Sequence, residues 1–151
     1  MARPTKSEAA PRSRSAERDE LSPMIRQSLR QLVRQHPQVD RVDRWDRFRK
    51  LYSLLFGFAH IFCMDKSGRF IAVHVCPMDE VDEIKLELRH SGLVRRFLEA
   101  GARLLIHGWR RGEDGRLLHL REAEVFRRDL CFPYCQCPGA TAEYMPPEDD
   151  F

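Results

Sequence analysis

The chain has 151 residues, enough for one domain with a real core, and its 26 basic residues nearly balance 23 acidic ones at a net charge of +3, so charge alone does not mark a nucleic-acid binder. Only four of the basic residues are lysines (Lys6, Lys50, Lys66 and Lys85); the planar fork of arginine suits phosphate and carboxylate, and a GC-rich coding sequence would give the same bias. No apolar run is long enough to span a bilayer and the first 20 residues lack the apolar core of a signal peptide, so the expectation is a cytoplasmic protein whose five cysteines are free thiols or metal ligands.

Residues 1–20 are rich in Arg, Ser, Ala and Pro, and a Cys-, Pro- and acid-rich tail fills 133–151. Neither segment can bury enough surface to offset ordering, so both are expected to be disordered around one α/β domain over 21–132. Ser22 as N-cap and Pro23 at the first helical position open a helix. Met24, Ile25, Leu29, Leu32 and Val33 recur at helical spacing, and Pro37 ends the run. Val39, Val42 and Trp45 then suggest a strand, although the alternating Asp40, Asp43, Asp46 and Arg41, Arg44, Arg47, Arg49 also fit a salt-bridged helix. A second strand is strongest over Phe58–Met64, and the turn "DKSG" joins it to a third over 69–76. Residues 78–101 read as helix, with Gly92 a place to pause and Gly101 a stop. Strands over 102–111 and 116–126 follow, joined by the turn "GEDG". The order α-β-β-β-α-β-β implies a mixed central sheet flanked by helices.

Two of these strands each place an imidazole inside an apolar run: His60 in "FGFAHIF" and His74 in "RFIAVHVCP". Cys76 lies two residues past His74, on the same strand face. Histidine nitrogen and thiolate sulfur would suit zinc, given a suitable hairpin register and a fourth ligand; buried histidines satisfied by hydrogen bonds are the competing reading. In the second helical region Lys85, Arg89 and Arg96 are four and seven residues apart, so they can share a face able to lie on a phosphate backbone. Interleaved Glu83, Glu87 and Glu99 equally fit a solvated face. Cys131, Cys135 and Cys137 form C-x3-C-x-C, not the paired C-x2-C knuckle of zinc ribbons, and read as surface thiols or as a zinc trap completed elsewhere. Trp45 and Trp109 read as core anchors, and His107 and His119 are assigned no role. Ser53 and Ser67 lack a nucleophile-elbow context, and no glycine loop is shaped to cradle phosphate.

Arg44-Trp45, the turn Phe56-Gly57-Phe58, and Gly101 with Gly108-Trp109 together resemble small phage and bacterial members of the PD-(D/E)XK, or restriction-endonuclease-like, nuclease superfamily. The resemblance covers about residues 25–126. It implies a restriction-endonuclease-like core and a role in nucleic-acid metabolism. In that superfamily a carboxylate on one strand and a Glu on the next hold a divalent ion such as magnesium or manganese, and a Lys lies two residues beyond the Glu. This chain departs at each position: His60 stands for the Asp, His74 for the Glu and Cys76 for the Lys. Three readings stay open: a degenerate site in a DNA-binding or assembly module, a site rebuilt for zinc, and a metal-dependent endonuclease with His/Cys ligands. A small OB-like barrel is the rival fold, because the helix-then-strand segment over 94–111 also fits its pattern.

Overall fold

The structure, a computed structural model, describes residues 14–49, 51–115 and 118–131. Five strands form the main sheet, in the spatial order β1 (Gln38–Arg41), β4 (Ile61–Met64), β5 (Phe70–Pro77), β6 (Arg103–Arg111) and β7 (Leu118–Val125). Every neighbouring pair is antiparallel except β5 and β6, which run parallel. A parallel pair needs a crossover. Here it consists of a 3-10 turn over Met78–Glu80, α2 (Val81–Leu88) and α3 (Gly92–Glu99). The other face is covered by α1 (Arg14–Gln35). A two-stranded ribbon, β2 (Arg44–Asp46) and β3 (Leu51–Ser53), is inserted between β1 and β4. The protein is therefore a mixed α/β fold with helices on both sheet faces. β1 and β7 are open edges, so the sheet is not the closed barrel that the OB-like reading requires.

Strand alternation divides the core into two layers. Ile61, Cys63, Ile71, Val73, Val75, Leu105 and Trp109 face α1 and meet its Leu21, Met24, Ile25 and Leu32. Ala72, Cys76, Leu104 and Ile106 point the other way, onto Val81, Leu88, Val94 and Leu98 of the crossover helices. Gly108 lies in this second layer beside Val81 and Met78, where a side chain has no room. None of the helices among the described residues is long and apolar enough to cross a membrane.

Four boundaries differ from the sequence reading. Helix α1 begins at Arg14, inside the segment expected to be disordered, and carries Pro23 in its interior. Ala16, Glu17, Arg18, Glu20 and Leu21 are strong helix formers, and they extend the helix past a residue that forfeits one backbone hydrogen bond. The single strand expected around Val39–Trp45 is two strands in two sheets; apolar residues spaced by three cannot keep to one face of one strand. Phe58 lies in a turn rather than in β4, which starts only at Ile61. The second helical region is two helices, because Ser91 leaves the helical conformation and its side chain caps α3 by accepting from the Val94 N–H. Gly101, with φ +87, ends α3 as expected.

Candidate functional site: a histidine pair at the end of the central hairpin

The β4–β5 hairpin closes through Asp65, whose carboxylate accepts from the Ser67 N–H, the Ser67 hydroxyl and the Arg69 N–H. That turn fixes the register, with Ile61 opposite Val73. One step further along, His60 stands opposite His74. The two side chains share the crossover-helix face, their ring centroids 4.8 Å apart and nearly perpendicular. The His60 main chain is held from both sides: its N–H donates to Val73 (3.0 Å) and its carbonyl accepts from Val42 and Asp43 (2.9 and 3.2 Å).

Each imidazole completes the ladder where β4 has ended. The Val75 N–H donates to His60 Nδ1 at 3.0 Å. His74 Nδ1 lies 2.8 Å from the Phe58 carbonyl, which can only accept, so His74 carries its proton on Nδ1. The tautomers are thus opposite. Neutral His60 has its proton on Nε2 and no lone pair to offer, whereas neutral His74 has a lone pair on Nε2. Burial pushes the pKa of His60 well below 6.5, with smaller contributions from His74 and Arg41. Burial also lowers that of His74, against the opposing pull of the Phe58 carbonyl. Both rings are neutral at physiological pH.

The surroundings are aromatic and partly strained. Phe58 and Phe62 pack edge-on against Phe97 of α3 at 5.6 and 5.7 Å. The turn before His60 passes through Phe56 at φ +55 and Gly57 at φ +79. Phe56 is a non-glycine residue in the left-handed region, and its ring is half exposed.

The structure brings His60 and His74 together and leaves Cys76 out. Cys76 lies further along β5, where the ladder with β4 no longer runs. Burial, with Glu80 and Asp79, pushes its thiol up to about 12. Among the described residues no three His, Cys, Asp or Glu side chains are placed to hold a metal ion. Asp65 is spent on its own turn, and the buried Asp43 carboxylate is held by Arg41 at 2.5 and 3.1 Å. One available imidazole lone pair fits neither a hard magnesium or manganese ion nor a tetrahedral zinc ion.

The basic residues of the crossover are also placed. Lys85 lies on α2 and Arg96 on α3, so the three cations do not share one helix; Arg89 is the C-cap of α2. Lys85 pairs with Asp129 at 3.4 Å. Arg89 donates to Cys131 Sγ at 2.9 Å, its carbonyl accepts the Cys131 N–H, and Arg95 donates to the Cys131 carbonyl. These contacts bind the segment after β7 to the crossover helices. Cys131 itself is buried; Cys135 and Cys137 lie outside the described residues.

One buried polar chain escapes the sequence reading. The Trp109 indole N–H donates to Ser28 Oγ (2.7 Å), Ser28 Oγ meets His107 Nδ1 (3.0 Å), and His107 Nε2 meets Glu122 (3.2 Å). The order serine, histidine, carboxylate mimics a hydrolytic triad. Ser28, however, is fully buried and already accepts from Trp109, so no substrate reaches it. The chain instead fastens α1 to β6 and β7. Its signal was Ser28, a lone hydroxyl in the apolar row of the first helix. No protein-family model, curated protein or solved structure matches this chain.

Proposed function

We propose that this chain is a nuclease-fold protein of nucleic-acid metabolism that has lost its metal chemistry and acts as a DNA-binding or assembly module. The observation that carries the reading is the fate of the two histidines. They stand at the positions where the resemblance to the PD-(D/E)XK superfamily calls for metal-binding carboxylates. Here their Nδ1 atoms are committed to the main chain. Once the β2–β3 ribbon is set aside and the two crossover helices α2 and α3 are taken together, the elements run in the α-β-β-β-α-β-β order that the resemblance leads one to expect, and this supports the same reading. A catalytic position converted into a structural one leaves a fold able to bind without cleaving. The reading is tested by incubating the folded protein with labelled DNA in the presence of magnesium, manganese or zinc. The DNA is expected to be bound and to stay intact; cleavage abolished by a chelator would overturn the proposal in favour of a nuclease with His/Cys ligands.

A further inference from the structure

Helix α1 turns one row of residues to the sheet and the opposite row to solvent. The inner row is Leu21, Ile25, Ser28 and Leu32, all buried. At about 100° per residue, Arg26, Arg30 and Arg34 fall about 180° away from that row, and all three are exposed. They recur every four residues, so their Cα atoms climb the helix axis about 6 Å at a time. No acidic residue occurs from Leu21 to Val39, and Gln27, Gln31 and Gln35 make the adjoining row. Among the described residues none of the three arginines enters an ion pair. Some exposed cations elsewhere are matched by acids, as in Arg121 with Asp82 and Arg49 with Asp46.

We infer that this arginine row binds the phosphate backbone of duplex DNA, on the sheet face opposite the histidine pair. The inference rests on the nucleic-acid reading above and adds the surface that carries it. Evenly spaced guanidinium groups with no interleaved acid suit a partner whose anions are themselves evenly spaced, and the glutamine amides offer donors to the same backbone. A lipid surface is disfavoured because the apolar row of α1 is consumed by the core. Of the large apolar side chains, only Val33, 62% exposed, is left on the outer side to enter a bilayer. The crossover helices are the weaker candidate, since Lys85 and Arg89 already hold the segment after β7.

The test measures binding of a short, random-sequence, fluorescein-labelled DNA duplex by anisotropy across a salt series. It compares the wild type, the triple variant Arg26→Gln, Arg30→Gln, Arg34→Gln, and the matching triple Arg→Lys variant, with circular dichroism confirming that each is folded. Losing three phosphate contacts flattens the slope of log affinity against log salt by about 2.7. Affinity at low salt should fall at least about tenfold, and the lysine variant should keep most of the slope. If the wild type binds but the glutamine variant binds equally well with the same slope, the α1 assignment is overturned and the nucleic-acid reading survives. If the wild type binds no duplex at any salt, both fall. Binding of anionic vesicles but not of duplex would likewise overturn the inference.

Discussion

Gly108→Ala places a methyl group where the crossover passes over the sheet. A Cβ on Gly108 would overlap Cγ2 of Val81 and stand 3.1 Å from the Met78 Cα, with the Arg121 carbonyl at 3.5 Å. Ordinary carbon–carbon contact is about 3.5–4.0 Å. The first obstacle is a fully buried, β-branched side chain with little rotamer freedom, and the second is backbone. Neither yields cheaply, so the substitution belongs at the upper end of overpacking costs, about 3 kcal/mol. A urea titration should show a lower midpoint with an unchanged slope, and thermal unfolding should shift down by on the order of 10 °C. The mechanism has its own control. Val81→Ala removes the overlapping methyl and alone costs about 2 kcal/mol through the cavity it leaves. Combined, the two substitutions should cost clearly less than their sum, because each relieves the defect of the other. A Gly108→Ala protein within about 0.5 kcal/mol of wild type, or a strictly additive double variant, would refute the packing argument. The same geometry explains why glycine precedes Trp109: the crossover cannot approach β6 over a side chain.

Three other outcomes follow from the buried polar groups. Because the folded pKa of His60 lies well below 6.5, the unfolded chain takes up the proton first as pH falls. Stability is therefore intact above pH 6.5 and lost progressively below it; denaturant midpoints for wild type and His60→Gln should show a shallower pH dependence in the variant. Ser28→Ala strips partners from the Trp109 indole and His107 and should cost about 1–3 kcal/mol by chemical denaturation; a neutral result would mean the chain does not fasten α1. Arg89→Ala removes the contact to Cys131 Sγ and should raise the reactivity of the buried Cys131 towards a thiol reagent, while Arg110→Ala on β6, away from that contact, should not.

The sequence was most informative where a turn and an alternation agree. "DKSG" between two alternating runs gave the β4–β5 hairpin, and with it the neighbourhood of His60 and His74. It was least informative between Val39 and Phe58. There apolar residues three apart serve different layers, Val39 on the α1 side and Val42 on the crossover side, so no single period describes the segment. The role of each histidine was hidden for another reason. Whether an imidazole binds a metal or completes a strand ladder depends on which nitrogen faces which main-chain group, and residue spacing does not record that. Ser28 was missed because a serine in an apolar helical row reads as a gap until Trp109 and His107 are placed beside it. The arginines at 26, 30 and 34 were passed over, because the outward side of α1 is defined only once the sheet is known.

We propose that the fold binds nucleic acid while its histidine pair holds no catalytic metal. The most direct measurement runs labelled duplex, branched and single-stranded DNA with the folded protein on native and denaturing gels, with magnesium, manganese or zinc and then with chelator. The account predicts retarded duplex and uncut strands in every lane. Cleaved strands that disappear with chelator and in His74→Ala, or duplex that is never retarded at low salt, would contradict it.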